Sequence, residues 1–173
     1  MEIKIVLTFC IAVLIRLISF LISNKNERNL KLFGAVEYGK SHSIILMFSH
    51  TIFYFSAFVE GLIRKTSFDT ITQLGIIVYI ISTLFLCIVI YQLGNFWTFK
   101  LIIAKDHCLN KGFIFKYFRH PNYFLNVIPE LIAIILICEA WITLTILFPI
   151  HLIFLIRRII QEERIMRHKF AGY

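Results

Sequence analysis

The chain has 173 residues, of which 59% are hydrophobic and only 16% are charged, and its mean hydropathy is +0.82. A soluble domain is about 45–50% apolar and about 25% charged, and a chain this short has too little interior to hide so much apolar surface. These values exclude an ordinary soluble globular protein and a disordered chain. The apolar runs are continuous and do not alternate, which predicts an all-α polytopic membrane bundle.

Five apolar runs follow one another, and we expect about five transmembrane helices in a single domain of residues 1–173. The runs are Ile3–Ile22, Ser43–Ile63, Ile71–Leu93, Tyr123–Cys138 and Trp141–Ile156. The first three approach the ~20 residues that a helix needs to cross the hydrocarbon core. The last two are shorter and are separated only by Glu139 and Ala140, which fits a tight hairpin of two spans, the alternative we favour, or a re-entrant pair. No Ala-x-Ala pattern follows the first run, so we expect it to be a retained span rather than a signal peptide.

The basic residues predict the orientation of the five spans. The linkers 24–42 and 94–122 and the tail from residue 157 lie on one side and hold 14 of the 18 Lys and Arg residues, whereas the other side holds three. Positive loops stay in the cytoplasm. We therefore expect an external amino terminus and a cytoplasmic carboxyl terminus, in a bacterial inner membrane.

Two kinds of binding site are not expected. The net charge of +8 is explained by the positive cytoplasmic loops, and no basic cluster is interleaved with aromatic residues as nucleic-acid binding would require. The four cysteines form no C-x-x-C pair and three of them lie in apolar runs, so neither a disulfide framework nor a metal site is indicated.

Four charged or histidine residues lie more than one helical turn from either end of the apolar runs. A charge at bilayer depth is expensive, so it usually faces the bundle interior and marks a functional site or an ion pair. Arg16 and Glu130 are the two charged cases, and for Glu130 a structural and a functional role are equally compatible with the sequence. His50 and His151 are expected to be buried contacts between helices.

Two polar stretches are predicted to meet on the cytoplasmic side. In the first, residues 105–123, Pro121 suits a first helical turn that Asn122 or the residues before it would cap, and a helix start favours a carboxylate ligand. In the second, Arg158 and Glu162 are four residues apart and share one helix face. That pair suits a zwitterionic ligand, or it is an ordinary exposed ion pair worth under about 1 kcal/mol.

The motif formed by these stretches resembles a known family. The chain contains Arg119-His120-Pro121-Asn122-Tyr123, then Glu162-Glu163 about forty residues later, and finally Phe170-Ala171-Gly172-Tyr173. This combination, with His107-x-Leu109, Gly112 and Phe115 upstream, resembles the isoprenylcysteine carboxyl methyltransferases, which are membrane enzymes that use S-adenosylmethionine. The resemblance covers roughly residues 94–173, which would be the cofactor-binding part.

Three further segments resemble the bacterial branch of that family often found beside type III polyketide synthases. They are Glu37-Tyr38-Gly39-Lys40, Asn95-Phe96-Trp97-Thr98-Phe99-Lys100, and the segment from Asn122-Tyr123-Phe124 to Pro129-Glu130. The substrates implied by this branch are alkylpyrones or alkylresorcinols, methylated on oxygen.

The resemblance implies a set of site residues at the cytoplasmic face. Glu162 would bind the amino group of the cofactor and Arg158 would face the acceptor. The residues implied to line the cofactor pocket are His107, Leu109, Phe115, His120, Pro121, Asn122 and Tyr123.

The chemistry of the acceptor decides which side chains act. A carboxylate is already ionised at neutral pH and needs only a cation such as Arg158 to orient it, whereas an enol or phenol must lose a proton, for which His120 and Glu163 are the candidate bases. We expect an O-methyltransferase whose partners are the bilayer and a lipophilic or prenylated substrate. The alternatives are a phospholipid N-methyltransferase and a membrane reductase of similar helical build that uses a nicotinamide cofactor.

Overall fold

The computed structural model describes residues 1–103 and 120–169. Helices dominate these residues: α1 (Ile3–Leu32), α2 (Lys40–Arg64), α3 (Thr70–Leu93), α4 (Ile128–Cys138) and α5 (Trp141–Lys169). A 3₁₀ turn, Gly94–Phe96, follows α3, and a π-helical turn, Asn122–Val127, leads into α4. Four of the helices are long and apolar enough to cross a membrane, and Asn122–Cys138 is a shorter apolar helix. The predicted all-α polytopic membrane bundle is therefore confirmed.

Two helices extend further than their apolar runs. The helix α1 ends at Leu32 and α5 at Lys169, ten and thirteen residues beyond the ends of the predicted spans. Polar residues continue a helix into water when they support one another across a turn. In α1 the Lys31 ammonium lies 2.6 Å from the Glu27 carboxylate four residues earlier, so the extension is internally stabilised.

A two-stranded sheet joins the linkers at one end of the bundle. The strands β1 (Val36–Tyr38) and β2 (Leu101–Ile103) are antiparallel, with Val36 opposite Ile103. The carboxyl end of α5 reaches the same place, because the Lys169 ammonium lies 5.9 Å from the centre of the Tyr38 ring. We call this end of the bundle the β end.

The tight hairpin between α4 and α5 is present. The chain reverses at Glu139, which has a left-handed φ of 50°, and the Thr66 hydroxyl donates to the Cys138 carbonyl at 3.0 Å. Thr66 lies in the connection between α2 and α3, so both connections are at the end opposite the β end. The segment Asn122–Cys138 is shorter than the four candidate spans, so the two-span hairpin and the re-entrant pair both stay predictions.

The helix α4 lies at the centre of the bundle. Its Leu131, Ala133 and Ile134 are fully buried, which explains why this run is apolar on every side. Gly75 lets α3 approach closely, because a Cβ there would lie 2.8 Å from the Ile137 amide nitrogen. Small residues at such crossings are typical of membrane helices, which associate by close packing rather than by the hydrophobic effect.

Candidate functional site

The described part of the first polar stretch, residues 120–123, meets the second stretch at the β end. His120 Nε2 lies 3.0 Å from Glu163 Oε1, and His120 Nδ1 lies 3.5 Å from Glu162 Oε1. The Tyr123 hydroxyl donates to Glu162 Oε2 at 2.9 Å, and its ring stacks on the His120 imidazole with 5.8 Å between the centres. The segment that precedes α4 and the last third of α5 therefore form one cluster.

The helical segment that carries Tyr123 starts at His120. The His120 carbonyl accepts hydrogen bonds from the amides of Tyr123 and Phe124, at 3.1 and 3.2 Å, and Pro121 has the helical φ of −62° that suits a first turn. The expectation that Asn122 caps this start is wrong. Its side-chain oxygen instead accepts a hydrogen bond from Asn126 Nδ2, four residues later, at 3.2 Å.

The environment of His120 favours its charged form. The side chain is buried, with 6% exposed, and burial alone lowers the pKa of an imidazole. The hydrogen bonds and negative charges of Glu162 and Glu163 outweigh this, so the pKa of His120 is raised above its ordinary value. The carboxylates themselves stay partly open to solvent, with a quarter of the Glu162 side chain exposed, so they remain accessible to a cationic ligand.

Arg158 is the buried cation of the site. Only 2% of it is exposed, and its Nη1 donates to the Ser43 hydroxyl on α2 at 3.0 Å, while its charge also acts on the Tyr123 hydroxyl. Its Nε has no hydrogen-bond partner within residues 1–103 and 120–169. The alternative of an ordinary exposed ion pair with Glu162 is therefore wrong, and Arg158 retains a donor for an anion.

An open cavity adjoins this cluster. Its volume is about 710 Å³, and both apolar and charged side chains line it. The lining residues are His120, Phe124, Ile159, Ile160, Glu163, Arg164 and Arg167. A cavity with such a mixed lining accommodates a molecule that has both a polar group and an apolar chain.

The register of the antiparallel helices α2 and α5 determines the position of Arg158. Arg158 on α5 lies opposite Ser43 on α2. Seven residues further from the β end along each helix, His50 lies opposite His151, with 5.6 Å between the ring centres. Gly39 closes this interface at the β end, with a left-handed φ of 61° and no room for a Cβ beside the Gln161 side chain. Ser43 was not predicted as a site residue, although its spacing of seven residues from His50 was a signal that the two share one helix face.

A second set of polar side chains lies deeper in the bundle. The guanidinium of Arg16 pairs with the Glu130 carboxylate, which also accepts a hydrogen bond from the Tyr54 hydroxyl. His151 belongs to the same set and is 1% exposed, as expected for a contact between helices. We call Arg16, His50, Tyr54, Glu130 and His151 the inner polar level, and His120, Tyr123, Arg158, Glu162 and Glu163 the outer polar level.

The two levels are spaced by helix geometry. Tyr123 and Glu130 are seven residues apart, as are His151 and Arg158, and a rise of ~1.5 Å per residue separates the levels by roughly 10 Å. Glu130, for which the sequence left a structural and a functional role open, is therefore the partner of Arg16 in the interior. Three implied pocket residues, His107, Leu109 and Phe115, lie outside the described residues, as does the segment 170–173.

Comparison with known proteins places this chain in a family. The sequence model of the isoprenylcysteine carboxyl methyltransferase family matches residues 74–168, just over half of the chain. An uncharacterized protein from Haemophilus influenzae is 43% identical over 164 residues, which cover 95% of both chains. The uncharacterized protein YpbQ from Bacillus subtilis is 29% identical over 164 residues, covering 91% of this chain and 94% of its own. No solved structure matches. The match spans α3 to α5 and includes both segments of the outer polar level, and the chain therefore belongs to the isoprenylcysteine carboxyl methyltransferase family.

Proposed function

We propose that this membrane protein is an S-adenosylmethionine-dependent O-methyltransferase that acts on a lipophilic acceptor in the bilayer. The observation that best supports the proposal is the outer polar level, where His120 and Tyr123 meet Glu162 and Arg158 beside an open cavity. Acidic, basic and aromatic groups then converge at one end of an otherwise apolar bundle. Family membership supports methyl transfer as the reaction.

The residues of the outer polar level fit the cofactor. When bound, S-adenosylmethionine supplies a methyl group attached to a positively charged sulfonium. Glu162 offers a partly exposed carboxylate to an ammonium group, and charge-assisted hydrogen bonds of this kind are the strong ones. His120 Nδ1 already faces Glu162 at 3.5 Å, so the imidazole would hold this carboxylate in place for the ammonium group. Pro121, Asn122 and Tyr123 would complete the pocket, with His107, Leu109 and Phe115 assigned to it by resemblance.

Arg158 would orient the acceptor. Two parallel hydrogen bonds from a guanidinium hold a carboxylate in one plane, and correct positioning supplies much of the barrier reduction in a displacement reaction. A carboxylate acceptor needs no base because it is ionised at neutral pH. An enol or phenol acceptor has a proton to lose, which Glu163 would accept, or His120 once its imidazole has lost its own proton.

The cavity would admit the acceptor from the bilayer. Phe124 and Ile160 line it and are more than half exposed, so an alkyl or prenyl chain resting there stays in an apolar environment. The polar group of such a molecule would then lie toward His120 and Glu163. A water-soluble donor and a lipid-soluble acceptor can thus reach one site from two different phases.

We further propose that the β end faces the cytoplasm of a bacterial cell. The linkers at this end and the tail carry 14 basic residues, against three on the other side, and positive loops are retained in the cytoplasm. A single cysteine placed at Gly34 should react with a membrane-impermeant maleimide only after the cells are opened. Labelling of intact cells would contradict this orientation.

The decisive experiment offers the purified protein labelled S-adenosylmethionine together with a prenylcysteine, an alkylpyrone or a phosphatidylethanolamine. We expect label to enter one of the first two acceptors. Transfer to the amine alone would indicate a phospholipid N-methyltransferase. Calorimetric binding of NADPH, with none of S-adenosylhomocysteine, would indicate the reductase instead.

A variant of Glu162 tests the proposed cofactor contact. Glu162→Gln should weaken S-adenosylhomocysteine binding by roughly tenfold or more, the usual effect of losing a hydrogen bond to a charged group. Glu27→Gln is a matched control, because Glu27 also lies near the β end but is bonded to Lys31 and Lys100. If the two variants bind S-adenosylhomocysteine with equal affinity, Glu162 is not part of the proposed pocket.

A further inference from the structure

A chain of hydrogen bonds connects the interior of the bundle to the outer polar level. Arg16 Nη2 on α1 donates to Asn126 Oδ1 at 3.4 Å, and Asn126 Nδ2 donates to Asn122 Oδ1 at 3.2 Å. Asn122 stands between Pro121 and Tyr123 in sequence, so the chain ends within the proposed cofactor pocket. Arg16 lies far outside residues 74–168 that match the family.

Arg16 contacts the same helical segment at two positions. It donates to Asn126 in the π-helical turn and pairs with Glu130 in the first turn of α4. These two contacts straddle the point, at Ile128, where the wide turn gives way to a regular α-helix. The arginine is thus a brace across the boundary between the two helix types.

The π-helical turn determines the direction of Tyr123. A regular helix advances about 100° per residue, so one extra residue in a turn rotates everything before it by about that angle relative to α4. Without the wide turn, the Tyr123 side chain would leave the face that meets Glu162. Such turns are rare and occur frequently at functional sites.

Helix packing alone does not require a charged residue at position 16. Residues that merely join helices inside a membrane need not be charged, because buried ion pairs can often be replaced by apolar residues without loss of stability. A charge at this depth therefore suggests a functional constraint. The Arg16 Nη2 group donates to Asn126 while the guanidinium stays paired with Glu130. This additional contact accounts for the constraint.

We propose that Arg16 is a positioning residue for the methyl-transfer site, acting through Asn126 on the π-helical turn that carries Asn122 and Tyr123. The cofactor-binding end of the protein then depends on the first helix. This inference rests on the proposed function for its ligand, but the positioning of the turn is a property of the chain alone.

Two substitutions separate positioning from stability. Arg16→Lys keeps a cation beside Glu130 but has a single nitrogen that cannot also reach Asn126, and Asn126→Leu removes the link while leaving the ion pair. A matched control is Glu60→Gln, which perturbs a buried carboxylate at the opposite end, where Glu60 accepts from the amides of Ile142 and Thr143 at 2.8 Å.

The test measures three quantities on the detergent-purified full chain: the melting temperature, hydrogen–deuterium exchange of residues 120–128, and calorimetric affinity for S-adenosylhomocysteine. We expect both variants to melt near the wild type, to exchange faster within residues 120–128, and to bind about tenfold more weakly, in the range typical of network substitutions. The Glu60→Gln control should lower the melting temperature and leave exchange and affinity in that segment unchanged.

The outcomes distinguish the two proposals. If the wild type binds no S-adenosylhomocysteine, the proposed function fails, and the exchange data still test the positioning of the turn. If both variants exchange like the wild type in residues 120–128, the positioning role of Arg16 is refuted whatever the affinity. Faster exchange spread over all helices would also refute it, because that result describes a general loss of stability.

Discussion

The outer and inner polar levels contain similar residue types but use them differently. At the inner level the Glu130 carboxylate is 2% exposed and is shared between Arg16 and Tyr54. At the outer level Glu162 is a quarter exposed, and the Nε of Arg158 has no hydrogen-bond partner among the residues that the structure covers. The interior charges of Arg16 and Glu130 pair with each other, although the Nε2 atoms of His50 and His151 have no hydrogen-bond partner in the part of the chain that the structure describes. At the β end it is the charged groups, Glu162 and Arg158, that keep capacity for a ligand.

The difference follows from the surroundings of each level. In the hydrocarbon core an unpaired charge has no water to solvate it, so the bundle must supply its partner. At the β end the Glu162 carboxylate is partly exposed to water, whereas the buried Nε of Arg158 has no partner among the described residues, a cost that a bound anion would remove. We therefore expect loss of an inner charge to reduce stability and loss of an outer charge to reduce activity.

The largest effect should come from breaking the inner pair. Glu130→Ala leaves the Arg16 guanidinium without its carboxylate, and removal of one partner from a buried pair typically destabilises by about 3–5 kcal/mol. Thermal unfolding in detergent measures this, and the double variant Arg16→Met with Glu130→Met should recover most of the loss. If Glu130→Ala unfolds at the same temperature as the wild type, the inner polar level does not stabilise the fold. The two levels then do not differ in the way described.

The next largest effect should appear in turnover. Arg158→Ala removes the cation proposed to orient the acceptor, and loss of positioning reduces rates by about a hundredfold. Its hydrogen bond to Ser43 involves a charged group and is worth about 1.5–3 kcal/mol of stability, less than the loss expected for Glu130→Ala. The neighbouring Arg157→Ala is the control, because Arg157 is exposed. A stability loss in Arg158→Ala as large as that of Glu130→Ala would assign both arginines to the same structural role.

The smallest effect should be a pH dependence of stability that belongs to the outer level. Because the folded-state pKa of His120 is raised above 6.5 by Glu162 and Glu163, the protonated imidazole stabilises the fold. That stabilisation is fully present below 6.5 and is lost as the pH rises through the raised folded-state pKa. Melting temperatures measured from pH 6 upward should decline less in His120→Gln than in the wild type. A wild-type curve that overlays the variant curve would show that the carboxylates do not hold the imidazolium.

Several elements of the site could be predicted because their signals are local. The motif from His120 to Tyr123 and the spacing of Arg158 and Glu162 are readable from neighbouring residues, and both lie where expected, on one side of the bundle. The place of Asn122 in the cofactor pocket stays a prediction, whereas its predicted role as a cap is wrong. A cap follows from an ordinary α-helical start, and no residue pattern here signals that the turn is π-helical instead.

The sequence by itself determined the membrane class, the existence of the helices and the hairpin at Glu139, because hydropathy and turn chemistry act over a few adjacent residues. Only the tertiary structure decided that Arg16 pairs with Glu130, 114 positions away, and that Arg158 meets Ser43, 115 positions away. Such partners depend on the rotation and register of packed helices. Every helix of similar hydropathy offers many registers, and close packing selects one of them.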